Sequence, residues 1–205
     1  MDGSSILDTN FAIGSIFAIW KKDANKLIGA KISDSLVTGV IVVYGPRTTA
    51  IIYNDVCKSV QELTLVRKEW QLTETELTIA KDAKIYAPGN LRAASENKEY
   101  LEVMGKWMAR GLTLRYTGGL VPDINQLFIK GNGIFVAVAS PTHKAKLRVL
   151  YEVAPVVFLI EKAAGRTVAR KLASGMDYVI KSYNDKLEFA CGSENDVEAV
   201  KHLFL

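Results

Sequence analysis

The chain has 205 residues, of which 49% are hydrophobic and 23% are charged, and this composition is that of a globular protein rather than a disordered one. Lys and Arg number 26 against 22 Asp and Glu, a net charge of +4, and the basic residues are dispersed, so we expect no nucleic-acid partner. No apolar run reaches the roughly 18–20 residues of a membrane-spanning helix, so no membrane partner is expected either. Cys57 and Cys191 are too few and too far apart for a disulfide framework or a zinc site, and we expect two reduced thiols.

The first 80 residues predict a sheet with few helices. Residues 11–20 are apolar nearly throughout and rich in β-branched and aromatic side chains, which predicts a strand covered on both faces. A polar turn is expected at 21–25. The apolar run at 36–44 fits a helix or a strand equally well, whereas residues 48–53 and 62–68 predict strands.

Beyond a polar stretch near residue 82, helices and strands alternate, so we divide the chain into residues 1–82 and 83–205. Residues 95–110 carry apolar side chains at three- and four-residue spacing, which predicts an amphipathic helix ended by Gly111. The further predicted elements are a strand at 112–116, a helix at 122–130, strands at 133–139 and 146–150, a helix at 152–164 with Pro155 in its first turn, a strand at 187–191 and a last helix from 196, capped by Ser193 or Asn195.

The segment Met1-Asp2-Gly3-Ser4-Ser5 combines a carboxylate with small residues. Closely spaced amides of such residues can surround an anion, and the carboxylate can hold a divalent cation against the same phosphate. On these five residues alone, a surface turn is the simpler interpretation.

A second candidate segment runs from Lys146 to Glu152. Glu152 stands among apolar residues, where a carboxylate needs a partner, and metal binding is as good an interpretation as a helix-terminal acid or an ion pair with an arginine. Lys146 and Arg148 project from one face if the segment is extended and then both reach one anion, although a solvated strand face is the commoner interpretation.

Two further segments carry groups that donate to phosphates. Arg115 and Tyr116 stand at a predicted strand end before a flexible Gly-Gly turn, where ligands collect in α/β proteins. Asn90 and Arg92 follow a Pro-Gly pair and could donate to a phosphate, with ordinary loop residues as the alternative.

Taken in order and spacing, the motifs Asp2-Gly3-Ser4-Ser5, Gly14-Ser15-Ile16-Phe17, Arg115-Tyr116-Thr117-Gly118-Gly119 and Lys146-Leu147-Arg148-Val149-Leu150-Tyr151-Glu152 resemble the sugar-bisphosphatase family of fructose-1,6-bisphosphatase and sedoheptulose-1,7-bisphosphatase. The resemblance extends from Asp2 to about Ser193. Ala93 and Ala137 stand where fructose enzymes usually carry tyrosines, which favours the sedoheptulose branch and a differently shaped pocket for the distal phosphate.

The resemblance implies a layered α/β (α-β-α-β-α) fold with mixed sheets, in which residues 1–82 belong to an N-terminal sheet domain and 83–205 to a sugar-phosphate-binding domain. It implies Mg²⁺-dependent hydrolysis of the 1-phosphate of a sugar bisphosphate, with sedoheptulose 1,7-bisphosphate as the leading substrate. Fructose 1,6-bisphosphate is the alternative substrate, and a catalytically silent sugar-phosphate-binding homologue is the alternative function.

The resemblance also assigns roles. Asp2 and Glu152 are the implied catalytic carboxylates and ligands of Mg²⁺ or Mn²⁺, together with the Met1 carbonyl. The implied substrate-binding residues are Gly3, Ser4, Ser5 and Arg148 at the 1-phosphate, Asn90, Arg92, Tyr116 and Lys146 at the sugar and its distal phosphate, and Arg115, which reaches a neighbouring subunit's site. The implied assembly is a homodimer or homotetramer.

Family members carry roughly another third of the chain before the Asp-Gly-Ser-Ser motif, including further metal ligands. From this difference we expect these 205 residues alone to have weak or no phosphatase activity, and one face of the first sheet to be bare. We expect a cytoplasmic protein, with a plastid or another organelle as the alternative.

Overall fold

The computed structural model describes residues 1–21 and 27–205, so the predicted polar turn at 21–25 falls almost entirely outside the described residues. The strands are β1 (Ile13–Trp20), β2 (Leu36–Tyr44), β3 (Thr48–Asn54), β4 (Ser59–Val66), β5 (Glu69–Glu74), β6 (Ile85–Gly89), β7 (Thr113–Leu114), β8 (Ile134–Ala137), β9 (Arg166–Ala169) and β10 (Phe189–Gly192). The α-helices are α1 (Ile32–Ser35), α2 (Lys98–Ala109), α3 (Leu120–Lys130), α4 (Ala154–Lys162) and α5 (Glu194–Val200).

Strands β1 to β5 form an antiparallel sheet in chain order. The ambiguous run at 36–44 is strand β2, because it pairs along its length with β1 and β3, and Ile41 lies opposite both Ile16 and Ile51. The strands predicted at 48–53 and 62–68 are present as β3 and β4.

This first sheet is apolar on both faces. Ile41 and Ile51 point inward to the core, where they are at most 1% exposed. On the outer face, by the alternation of side chains along a strand, Phe17 pairs with Val40 and keeps 52% of its surface exposed. The prediction that residues 11–20 are covered on both faces is therefore wrong for the described residues, while the expectation of one bare face agrees with this exposure.

The second sheet is mixed, with the order β7-β6-β8-β10-β9. β6 runs parallel to β7 and β8, and β10 runs antiparallel to β8 and β9. Since Gly89 pairs with Ala137 at the carboxyl ends of β6 and β8, the segments that follow both strands begin at one edge of the sheet. Ligands of α/β proteins bind at such an edge.

The helices lie in layers around the second sheet. Helices α3 and α4 contribute to a core shared by the first sheet and by side chains such as Phe135 and Phe189 of the second sheet. Ile134 and Val136, which alternate with Phe135, belong instead to a core with α2 and α5 on the other face. The order is thus helices, mixed sheet, helices and antiparallel sheet, which confirms the layered α/β class; the division into residues 1–82 and 83–205 stays a prediction.

Close contacts fix the spacing of the layers. A Cβ atom added to Gly39 would lie 2.7 Å from the Pro155 Cβ, and one added to Gly14 would lie 2.4 Å from the Val121 Cγ1. Neither position therefore accommodates a side chain without moving a helix away from the first sheet.

The strand predicted at 146–150 is wrong. Arg148 forms one isolated bridge with Lys186, and residues Val149–Val153 then make a π-helical turn leading into α4, whose first turn holds Pro155 as predicted. The strand predicted at 112–116 shortens to the two residues of β7, and the last helix ends at Val200 before a 3₁₀ turn.

Ser193 is the residue before α5, but its hydroxyl accepts from the Gly133 amide instead of capping that helix. Cys57 is exposed and Cys191 buried, and both are free thiols. Among the helices of the described residues, none is long and apolar enough to cross a membrane.

Candidate functional site

A cavity of about 660 Å³ opens where β6 and β8 end. Five of the predicted substrate-binding residues line it, namely Ser5, Asn90, Arg92, Tyr116 and Lys146. The rest of the wall is formed by Gly89, Leu91, Gly118, Leu120, Asp123, Phe135, Ala137, Val138, Ala145, Leu147 and Leu187. The structure therefore brings together groups from four segments that are far apart in the sequence.

The charged and polar side chains of this wall suit an anionic, hydroxyl-rich ligand. Arg92 and Lys146 supply two cations, and Arg binds phosphate oxygens in pairs. Burial raises the pKa of the Tyr116 phenol, the Asp123 carboxylate raises it further and Arg92 opposes the rise. Tyr116 is therefore a hydrogen-bond donor at neutral pH.

The side-chain amide of Asn90 donates both of its hydrogens to main-chain carbonyls of the protein. Asn90 occupies the left-handed region, with φ at 52°, which Asn tolerates better than most residues. Its Nδ2 donates to the Val138 carbonyl at 2.7 Å and to the His143 carbonyl at 3.0 Å. Because an amide nitrogen carries two hydrogens, this contact leaves only the side-chain oxygen for other partners.

The N-terminal segment is fixed by β1 and by α3. The main chains of Asp2 and Gly14 exchange two hydrogen bonds, of 2.7 and 3.0 Å. The Asp2 carboxylate accepts from the Val121 amide at 2.8 Å, in the first turn of α3, where the helix dipole favours a negative charge. Gly3 then turns with a φ of 90°, and Ser5 reaches the cavity wall.

Glu152 lies in the π-helical turn before α4. Its carboxylate accepts from the Arg148 amide at 2.7 Å, so it closes its own turn. Burial raises the pKa of Glu152, and the charge of Asp2 raises it further, against the effects of the Arg148 amide and guanidinium. The guanidinium of Arg148 lies 5.8 Å from the centre of the Tyr151 ring. Because the charge of Asp2 affects the pKa of Glu152, these two predicted metal ligands lie close enough to repel one another.

Asp123 is a third carboxylate that the sequence did not single out. It is 0% exposed and accepts from the Thr117 amide at 2.7 Å, the Thr117 hydroxyl at 2.8 Å and the Gly118 amide at 3.3 Å. Burial raises its pKa to about 6, with the Asp2 charge contributing. The available signal was an acid in the first turn of a helix after a Gly-Gly pair, but its contacts to the preceding turn depend on the fold.

The three carboxylates favour a cation beside the cavity. Burial raises the pKa of Asp2 as it does those of Glu152 and Asp123, and a nearby positive charge would relieve this cost. In the part of the chain that the structure describes, no group of three or more His, Cys, Asp or Glu residues is arranged to hold a metal ion. Mg²⁺ is commonly held by one or two carboxylates together with substrate phosphates and water, so Asp2 and Glu152 fit as part of its ligand set.

The other predicted residues lie outside the cavity wall. They are Met1, Asp2, Gly3, Ser4, Arg115, Arg148 and Glu152. Arg115 is exposed at the end of β7, with its amide donating to the Tyr86 carbonyl at 2.9 Å. Met1 is 79% exposed.

Residues 79–204 match the family described as "Fructose-1-6-bisphosphatase, C-terminal domain". The chloroplastic sedoheptulose-1,7-bisphosphatase of Spinacia oleracea is 44% identical over 198 residues, which cover 96% of this chain and 50% of that protein. The fructose-1,6-bisphosphatase class 1 of Geobacter sulfurreducens is 36% identical over 203 residues, or 96% of this chain and 61% of that protein.

Solved structures agree with these matches. A Toxoplasma gondii protein assigned as a sedoheptulose-1,7 bisphosphatase superposes with a TM-score of 0.90 at 35% identity, covering 99% of this chain and 70% of that one. The fructose-1,6-bisphosphatase of Leishmania major in its T-state gives 0.87 at 26% identity, covering 98% and 68%. The chain spans about half the length of the first curated relatives it matches.

Proposed function

The chain belongs to the fructose-1,6-bisphosphatase family, and from this premise we propose that it binds a sugar bisphosphate and provides part of a site that hydrolyses its 1-phosphate with Mg²⁺. The observation that carries the proposal is the cavity whose wall holds Arg92 and Lys146 close to the acidic cluster of Asp2, Asp123 and Glu152. A wall of cations binds phosphate, and the neighbouring acids bind the metal that accompanies it.

Each group has a separate task in this proposal. Arg92 and Lys146 bind the distal phosphate, and the Tyr116 hydroxyl donates to the ligand beside them. Ser5 and the small residues before it face the 1-phosphate, and Asp2 with Glu152 holds Mg²⁺. When bound, the metal stabilises the negative charge that builds on the phosphoryl oxygens during the attack of water. The apolar wall residues exclude bulk water from the ligand, which strengthens these charge interactions.

The proposed substrate is sedoheptulose 1,7-bisphosphate, with fructose 1,6-bisphosphate as the alternative. Ala137 supports the longer sugar, because this small side chain lines the cavity at a place where fructose enzymes usually carry tyrosine. Ala93, the other such position, is 0% exposed and packs in the core shared with α2, so it does not form the wall. The argument from pocket width therefore rests on Ala137.

The chain alone should bind sugar phosphates but hydrolyse them weakly. Two carboxylates hold Mg²⁺ loosely, and within the described residues no group of three or more His, Cys, Asp or Glu side chains is arranged to hold a metal ion. The second candidate is a homologue that only binds sugar phosphates, favoured by the finding that the described residues hold no group of three or more potential metal ligands.

Calorimetry of the purified chain with sedoheptulose 7-phosphate and fructose 6-phosphate tests the binding. Arg92→Ala and Lys146→Ala should each weaken binding about tenfold, as expected for the loss of a charge-assisted hydrogen bond, while exposed Lys98→Ala serves as the control. Failure of the unmodified chain to bind either sugar phosphate would refute the proposal. Slow phosphate release from the bisphosphates that requires Mg²⁺ supports the enzyme, and no release at all supports the binding protein. A clear preference for the six-carbon substrate would reverse the choice of sugar.

A further inference from the structure

One side of the cavity is built from two segments that hydrogen bond to each other. The first is the 3₁₀ turn Leu91–Ser95 with its flanking residues Asn90 and Glu96, and the second is the loop of residues 138–146 after β8. Arg92 of the turn and Lys146 of the loop both line the cavity. The relative position of the two segments therefore sets the distance between the two cations.

Two residues at opposite ends of the turn hold the loop. Asn90 donates to the carbonyls of Val138 and His143. At the other end, the Glu96 carboxylate accepts from the Thr142 amide at 3.0 Å with one oxygen and from the Thr142 hydroxyl with the other. Both oxygens of the Glu96 carboxylate thus accept a hydrogen bond from Thr142.

The loop also has internal hydrogen bonds that transmit this contact. The Ser140 amide donates to the His143 carbonyl at 3.0 Å, and the His143 amide donates to the Ser140 hydroxyl at 3.1 Å. Thr142 stands inside this small turn, and Lys146 follows four residues later. A displacement of Thr142 is therefore carried along a short, internally bonded segment to the cavity wall.

The Glu96 contact persists over the physiological pH range. Hydrogen bonds from the hydroxyls of Ser140 and Thr142, and then from the Thr142 amide, lower the pKa of Glu96 to about 2. A carboxylate that accepts several hydrogen bonds is a stronger acceptor than a neutral group. Neither Glu96 nor Thr142 is part of the cavity wall, so any effect on the ligand must pass through the loop.

We propose that Glu96 is a positioning residue, which holds Thr142 and so fixes Lys146 at the distance from Arg92 that one distal phosphate requires. The ligand in this statement rests on the proposed function, whereas the effect of Glu96 on the loop does not. A cation displaced by about 1 Å binds phosphate markedly less well, because the geometry of the site must be met by both cations at once.

The first test is hydrogen exchange of the chain without ligand. Glu96→Ala should accelerate exchange in residues 138–146 about tenfold, since the Thr142 amide loses its acceptor. Glu99→Ala, an exposed acid three residues later in α2, is the matched control and should leave the loop unchanged. Unchanged exchange in Glu96→Ala would overturn the proposal whatever the ligand is.

The second test is a double-mutant cycle on affinity for sedoheptulose 7-phosphate. Glu96→Ala should weaken binding about three- to tenfold in the presence of Lys146 and have almost no effect in the Lys146→Ala background, because Glu96 acts through Lys146. Additive effects would overturn the positioning role. If the unmodified chain binds no sugar phosphate, the proposed function and the ligand role of Glu96 both fail, while the exchange measurement still decides whether Glu96 holds the loop.

Discussion

The buried carboxyl group of Asp123 should reduce the stability of the folded chain as the pH rises from about 4 to about 6. Its pKa is about 6 in the folded chain because of burial, against a reference value of 3.8. Between these values the folded chain keeps a proton that the unfolded chain has released, so stability falls with rising pH until both forms are ionised. The difference between the two pKa values corresponds to about 3 kcal/mol of unfolding free energy at pH 7.

The variant Asp123→Asn isolates this contribution. Its amide oxygen can still accept from the Thr117 amide and hydroxyl, whereas its NH₂ group faces the Gly118 amide and loses that hydrogen bond. The lost hydrogen bond is a cost that is nearly constant with pH. The unfolding free energy of the variant, relative to the unmodified chain, should therefore rise by about 2–2.5 kcal/mol between pH 4 and pH 7.

Urea unfolding followed by tryptophan fluorescence, at half-unit pH intervals in a buffer containing EDTA, measures this difference. EDTA is needed because a bound cation would lower the pKa of the acidic cluster. The control is Asp8→Asn, which removes one acidic charge at an exposed position. If the unfolding free energies of Asp123→Asn and of the unmodified chain run parallel with pH to within about 1 kcal/mol, burial does not perturb the ionisation of Asp123 and the argument fails.

Glu152→Gln should raise the melting temperature in EDTA by about 2–4 °C, since it removes a half-buried charge, and should abolish any stabilisation by Mg²⁺. Equal Mg²⁺ stabilisation of the variant and the unmodified chain would exclude Glu152 as a ligand. Gly39→Ala should lower the unfolding free energy by about 1–3 kcal/mol because its Cβ would overlap α4, whereas Gly105→Ala, whose Cβ meets open space on α2, should raise it by about 0.5–1 kcal/mol. Urea denaturation of both variants measures the difference, and an unchanged stability of Gly39→Ala would contradict the close packing. Phe17 and Leu72 are 52% and 51% exposed on the outer face of the first sheet. Replacing both by serine should reduce self-association of the chain in sedimentation velocity, and an unchanged distribution of sedimentation coefficients would show that this face does not drive self-association.

Much of the fold was predictable because its strands and helices have strong patterns. The apolar runs of β1 and β3 and the spaced apolar residues of α2 identify these elements directly, whereas the run of β2 fits a helix equally well. β5 was missed because all six of its residues are exposed, so its pairing with β4 leaves no alternation to detect. Its hairpin turn at Arg67 and Lys68 has φ values of 50° and 74°, without the Asn-Gly pair that usually marks such a turn.

The site was predictable in its residue types more than in its contacts. Family motifs drew attention to Tyr116 and Lys146, which do line the cavity. Periodicity could not foresee that the segment before Glu152 forms a π-helical turn, because that turn depends on a hydrogen bond between Glu152 and the main chain. It also could not foresee Asp123, whose role depends on a turn formed six residues earlier.

The first turn of α3 connects the N-terminal segment at Asp2 with the turn after Tyr116 through hydrogen bonds. Its Val121 amide holds the Asp2 carboxylate, and its Asp123 side chain holds the turn that follows Tyr116. If the two sheets shift relative to one another, this helix end carries Asp2, Asp123 and the turn after Tyr116 together as one rigid body. The separation between them would then be conserved during motion, and a mutation that loosens α3 would act on both parts at once.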